Sequence, residues 1–241
     1  LRRQRQMCIR DRMSPEQAKV YEATMMRLRQ RVDSIVKEKG FERGRTEVLA
    51  AITQLREICC HPSLVLDDYT GTSGKLDMLL DMLPEAIAKG RRVLLFSAFT
   101  SMLKILRREL DDAGYETMYL DGDTPAQRRV EMAEQFNAGQ GQIFLISLKA
   151  GGTGLNLTGA DMVIHYDPWW NPAAEDQATD RAYRIGQTRK VEVIRLVTHA
   201  SIEEQVVALG QRKKALFDQL IKPGESMVGG LSPQEIMSLF Q

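Results

Sequence analysis

Three cysteines and three histidines among 241 residues are too few for a disulfide framework or for repeated metal-ligand pairs. Two of the cysteines are adjacent, and Cys59-Cys60-His61 has no second Cys/His pair at ligand spacing. They read as a core thiol pair at a helix end in a protein of a reducing compartment, and no metal site is expected. No apolar run approaches the roughly eighteen residues that a membrane span needs, so no membrane partner is expected. A phosphate-binding P-loop is also missing. Ser73-Gly74-Lys75 ends like one, but Tyr69 stands where its first glycine belongs and Leu76 where Ser or Thr should follow the lysine. No paired Asp-Glu box accompanies it. Gly151-Gly152-Thr153-Gly154 fails the GxGxxG spacing of a dinucleotide fold. Charge of one sign is scarce as well: the net is +1, with no global pull toward a polyanion. The leader LRRQRQMCIRDR holds five arginines against one aspartate, which leaves −3 for the rest. It has no helical period, no cap and no apolar signal core, so residues 1–12 are set outside the fold as a leader of non-native character.

What is present is an ordinary globular composition, 43% hydrophobic and 27% charged. A helix is expected from Ser14-Pro15 through Tyr21, Met25 and Leu28. A second covers about Thr46 to Cys59, with Val48, Ile52, Leu55 and Ile58 at helical spacing. These belong to a helical segment over residues 13–73. SGKLDMLLDMLPEAIAKG then reads as a capped amphipathic helix closed by Gly90. Short apolar runs alternate with helices from there on: RVLLFSAF, YETMYLDG, QIFLISL, DMVIHYD and VEVIRLVT. Thr100 is the expected cap of the first intervening helix and Thr124, with Pro125 behind it, of the second. Apolar strands without alternation, separated by helices, predict a parallel sheet buried on both faces over residues 74–198. Ser201 to Glu204 reads as a capping box opening a long helix, and Ser232 caps a short tail helix, over residues 199–241.

Two stretches carry chemistry. SLKAGGTGLNL, Ser147 to Leu157, follows an apolar strand and offers backbone amides without Cβ bulk, which suits close approach of a phosphate. Further on, Asn171 caps a helix with Pro172 at its first position. From that start Gln177, Arg181 and Arg184 fall at i, i+4 and i+7, on one face. Two guanidiniums one turn apart, with an amide beside them, suit a clustered anion such as a polyphosphate. The bland alternative is a solvated basic helix face.

The glycine loop and the arginine helix together resemble motifs V and VI of superfamily-two helicases. DPWWNPAAEDQATDRAYRIGQ, Asp167 to Gln187, is similar to the Swi/Snf family of double-stranded DNA translocases almost throughout, with LLFSAF and ICCHPSL as further support. The resemblance implies the second of two RecA-like lobes, an α/β parallel sheet flanked by helices, with N-terminal helices and a C-terminal brace helix. It implies ATP between the lobes, with Arg181 and Arg184 as arginine fingers on the γ-phosphate. Gln177 would orient them or touch the nucleotide, and Gly152 and Gly154 would line the cleft. Mg²⁺ would be held mainly by the first lobe. For DNA it implies backbone contacts from Ser97, Thr100, Lys149, Thr153 and Trp170, with Trp169 inside. Lys149 reads equally well as a solvated lysine.

Without a P-loop the chain is not expected to hydrolyse ATP alone. It is expected to be a fragment whose partner is the first lobe of the same protein, acting on duplex DNA irrespective of sequence. The compact ending resembles bacterial members more than eukaryotic ones, implying a cytoplasmic, nucleoid-associated protein. Two other readings stand beside this one: a non-catalytic docking module that keeps the RecA fold, and an RNA helicase lobe, although DEAD-box motif VI has a different arginine pattern.

Overall fold

The structure, a computed structural model, describes residues 5–150, 154–183, 187, 189–219 and 232–240. In chain order it runs β1 (Arg5–Asp11), α1 (Pro15–Lys39), α2 (Phe41–Cys60), a 3₁₀ turn (Pro62–Leu64), α3 (Gly74–Ala88), β2 (Val93–Ser97) and α4 (Thr100–Asp112). There follow β3 (Thr117–Leu120), α5 (Ala126–Asn137), β4 (Ile143–Ser147), β5 (Met162–His165), α6 (Pro172–Thr179), β6 (Glu192–Thr198), α7 (Ile202–Gln219) and α8 (Pro233–Ser238). The six strands form one sheet in the order β1-β6-β5-β2-β4-β3, and every pairing is parallel.

The central strands β2, β4 and β5 are buried on both faces, as their unalternated sequences require. Val93 and Leu95 of β2 meet Leu79, Leu83, Leu103 and Leu106 of α3 and α4. Leu94 and Phe96 point the other way, to Met132, Phe136, Leu157 and Ala182. Each such buried side chain contributes about 1.5–3 kcal/mol, so the two layers dominate the lobe's stability. A third core joins α1 and α2 to α7 and α8 through Leu28, Ile52, Leu55, Val206, Ile236 and Phe240. Gln17 links these parts. Its Nε2 donates to the Ile58 carbonyl at 2.9 Å and its Oε1 accepts from the Gly74 amide at 3.0 Å.

Several caps stand where expected. Ser14 and Gln17 form a capping box at α1, Ser73 caps α3 and Ser232 caps α8. Others differ. Phe99, not Thr100, is the N-cap of α4, and Pro125, not Thr124, that of α5; Thr124 Oγ1 accepts instead from the Asp121 amide. At α7 the box is displaced by one residue. Ser201 Oγ accepts from Glu203 N, while the Glu204 carboxylate accepts from Ala200 N, which sits at a positive φ of 52°.

The leader set outside the fold is corrected here: Arg5–Asp11 is the edge strand, in parallel register with Glu192–Thr198. Met7 and Ile9 are half-buried while Cys8 and Arg10 are exposed, a period of two that the run of arginines obscures.

His165, on β5, is fully buried, stacks on Phe96 with ring centroids 5.5 Å apart and meets Thr179 Oγ1 at 3.0 Å. Burial lowers its pKa to about 3. The unfolded chain therefore takes up a proton near pH 6.5 that the folded lobe refuses until about pH 3, so this contribution to stability is full above 6.5 and is lost as the pH falls. Between pH 6.5 and 5, wild type is expected to lose up to about 1.4 kcal/mol per pH unit relative to His165→Gln, as read from urea midpoints. Parallel pH profiles of the two proteins would contradict it.

Candidate functional site

The chemistry-bearing stretches converge on the carboxyl ends of the strands, where open α/β sheets bind ligands. Asp167 is the fastening there. Its Oδ1 accepts from Ser97 Oγ at 2.5 Å and from the Ala98 amide at 3.1 Å, and its Oδ2 lies 3.4 Å from Arg56 Nη2. The first residue of DPWWNP thus ties the end of β2 to the segment after β5. Ser97 is fully buried in this arrangement. This corrects its expected place on DNA, since a hydroxyl bonded inward with no accessible surface meets no phosphate. Thr100 is exposed at the first turn of α4, and Lys149 is exposed on the turn after β4. Thr153 and Gly152 lie outside the described residues. Gly154 is exposed at a φ of +50°, with open space where a Cβ would stand.

Trp169 and Trp170 do not divide into an inner and an outer ring. Both are half-buried, and they flank the Arg56 guanidinium at 5.6 and 5.7 Å, with Phe99 at 5.2 Å. Trp170 also packs on the helical core.

α6 begins as expected, with Asn171 Oδ1 accepting from the Ala173 amide and Pro172 at the first position. It ends early. The chain tightens into Arg181 N→Ala178 O and Ala182 N→Thr179 O bonds, so the helix stops at Thr179. Gln177 is exposed whereas Arg181 is 3% exposed. The single face expected to carry Gln177 and Arg181 is therefore corrected: Arg181 lies beyond the helix and turns inward because Ala182 beside it is packed into the sheet core. Arg184 lies outside the described residues.

The arginine segment is nevertheless bound to the segment after the glycine loop. The Leu157 amide donates to the Arg181 carbonyl at 3.0 Å. Gln187 Nε2 donates to the carbonyls of Thr158, Ala160 and Ala182 at 3.1, 2.7 and 3.0 Å, and its Oε1 accepts from Arg189 N. Glu175, 4% exposed, accepts from the Trp169 amide and from Arg195 Nε, at 2.7 and 2.6 Å. Burial pushes its carboxyl up, against those two partners, which pull it down.

Four residues escaped sequence reasoning. Lys75, of the rejected SGK, is 1% exposed, with Nζ 2.6 Å from Glu203 Oε1 and 3.0 Å from the Tyr166 carbonyl. Burial lowers the pKa of that ammonium, but the Glu203 carboxylate together with Cys60 and Cys59 offsets it and the net direction is up. Arg129 spans the Gly122, Thr124 and Ala150 carbonyls, at 2.8, 2.7 and 3.4 Å, tying α5 to the approach of the glycine loop. Arg56 and Gln187 complete the group. A polar residue inside an apolar helical period, as at Arg56, was the available signal.

Among the described residues no group of three or more His, Cys, Asp or Glu could hold a metal. Both cysteines at the end of α2 are fully buried, and burial raises their thiols. Among the same residues no helix is long and apolar enough to cross a membrane.

The comparisons with known proteins agree with this geometry. Residues 74–186 match the helicase conserved C-terminal domain. YwqA of Bacillus subtilis (strain 168) is 38% identical over 234 residues, which cover 95% of this chain and 25% of that protein. The human SWI/SNF-related matrix-associated actin-dependent regulator of chromatin subfamily A member 1 is 37% identical over 213 residues, 82% of this chain and 20% of that one. The chain thus spans about a quarter or less of the curated relatives it matches. The C-terminal domain of the Sulfolobus solfataricus SWI2/SNF2 ATPase superposes with a TM-score of 0.76 at 28% identity, covering 98% of both chains. The core of that ATPase in complex with double-stranded DNA gives 0.78 at 32% identity, over 98% of this chain and 50% of its own. Residues 74–186 thus form a helicase conserved C-terminal domain, and nearly the whole chain is similar to Swi/Snf-type ATP-dependent helicases and has the fold of the C-terminal RecA-like lobe of the SWI2/SNF2 ATPases.

Proposed function

We propose that this lobe is the second half of an ATP-dependent motor that moves on double-stranded DNA without regard to sequence, inactive until the first lobe of the same protein docks against it. One observation carries the proposal: the arginine segment and the segment after the glycine loop are hydrogen-bonded together at the carboxyl edge of the sheet, through Leu157 and Gln187. ATP would supply the phosphoanhydride, and Mg²⁺, held mainly by the first lobe, would neutralise the phosphates. This chain contributes positive charge at the γ-phosphate from Arg184 and Arg181, because a guanidinium keeps its charge and planar fork at any working pH. Gln177, exposed on α6, is assigned to orient the arginines or touch the nucleotide. Gly154, with open space where a Cβ would stand, leaves room for that approach, and Gly152 is assigned to the same cleft.

Thr100, Lys149, Thr153 and the half-buried Trp170 form the DNA side of the proposal, with no base-reading element among them. Binding of unrelated duplexes by the two joined lobes is expected to be equal and to weaken steeply with salt. Lys149→Ala should flatten the slope of log K against log salt by about one. Salt-independent or sequence-selective binding would contradict it.

Gln187 is assigned the role of clasp for the arginine segment. Gln187→Glu puts a carboxylate against three carbonyls and is expected to cut DNA-stimulated turnover at least about tenfold. Gln187→Lys restores donors and should recover part of it. Equal turnover in all three proteins would remove Gln187 from the mechanism.

A further inference from the structure

We propose that Arg56, on α2, is a positioning residue that sets the DNA-facing rim of the lobe from beneath. Its guanidinium is 2% exposed and joins the two strand-end segments from which that rim is built. On one side Nη2 donates to the Pro168 carbonyl at 2.7 Å, and the guanidinium carbon lies 5.6 and 5.7 Å from the ring centroids of Trp169 and Trp170. On the other side the same nitrogen meets Asp167 Oδ2, whose partner oxygen holds Ser97 and the Ala98 amide. The Phe99 ring, 5.2 Å from the guanidinium carbon, is the N-cap of α4 and adjoins Thr100. Thr100 and Trp170 are therefore both covalent neighbours of groups that Arg56 touches, although they lie far apart in the chain.

The chemistry accounts for arginine there. A buried cation is costly unless paired, and Asp167, itself 1% exposed, supplies the opposite charge. Three aromatic rings around one guanidinium supply stacking and cation–π attraction that an ammonium matches poorly. Nε has no hydrogen-bond partner among the described residues, so the side chain is not placed there to saturate hydrogen bonds. Arg56 fixes the spacing between the two segments, and a rim spaced to match successive phosphates binds them without reorganisation.

The inference rests on the proposed DNA contact, and the test separates the two. In the parent enzyme, Arg56→Met keeps an unbranched stem as far as the position of Nε and removes the guanidinium with its charge and donors; Arg56→Lys keeps the charge. For both, KM for duplex DNA, kcat for ATP at saturating DNA, thermal midpoint and tryptophan fluorescence are measured. Arg56→Met is expected to raise KM for DNA about tenfold, with kcat within about twofold. A changed emission maximum and easier acrylamide quenching should accompany it in the difference between variant and wild type, since Trp169 and Trp170 flank the replaced guanidinium. Arg56→Lys should fall between Arg56→Met and wild type. A lower midpoint with KM and emission unchanged would overturn the positioning role. If wild-type turnover ignores DNA, the motor proposal fails, while the fluorescence still decides whether Arg56 holds the tryptophans.

Discussion

Arg184→Ala, made in the parent enzyme, is expected to slow ATP hydrolysis about a thousand-fold while leaving the lobe folded and duplex DNA bound. On the proposed function, charge that develops on the transferred γ-phosphoryl group in the transition state loses one of its two guanidinium partners. Arg181→Ala is expected to lose turnover to a similar degree and, in addition, to lower the thermal midpoint, because Arg181 is 3% exposed and its removal opens a space against the sheet. The pair of variants therefore separates the two arginines. A loss of stability without a loss of turnover in Arg181→Ala would make that residue a scaffold and leave Arg184 as the lone finger. Single-turnover hydrolysis together with thermal unfolding reads both effects.

Lys75→Met is expected to produce the largest loss of stability, about 3–5 kcal/mol, because it leaves Glu203 charged inside the lobe with its ammonium gone. Glu203 is fully buried, and its second oxygen is held by the Thr198 amide at 2.9 Å, so the carboxylate has no route to water. The pair joins the start of α3 to the first turn of α7, across the end of β6. Its loss should therefore loosen the long C-terminal helix from the sheet. Replacing both partners with apolar residues, Lys75→Met with Glu203→Leu, should recover most of the loss, since a matched apolar pair has no charge to bury. Urea midpoints of the single and double variants make the measurement. A single variant as stable as wild type would show that the pair contributes nothing.

Much of the fold was legible. Five of the six strands were written as unalternated apolar runs, and Ser14, Ser73, Asn171 and Ser232 marked helix starts through a mechanism local to a few residues. The exceptions are non-local. β1 is held by the backbone of β6, nearly two hundred residues away, and its weak alternation of Met7 and Ile9 was masked by arginine. The end of α6 carries no glycine or proline; it stops because Ala182 is drawn into the core and Gln187 closes the following turn.

The candidate site was legible by type and not by role. QATDRAYRIGQ announced phosphate chemistry, but helical spacing put Gln177 and Arg181 on one face that the early stop of α6 divides. Ser97 had the residue type of a phosphate contact and is instead the buried partner of Asp167. Lys75 had the look of a P-loop lysine and neutralises Glu203. In each case the local sequence named the functional group, and a partner dozens of residues away decided its use.

The central claim is that this lobe works as half of a duplex-DNA-dependent motor. The measurement that bears on it most directly is the ATPase rate of the parent enzyme against added duplex DNA, with duplex and single-stranded RNA as comparisons and Arg184→Ala as control. Strong stimulation by duplex DNA, little by RNA, and loss of both rates in the variant are the predicted result. A rate that ignores duplex DNA, or one that RNA stimulates more, would contradict the account.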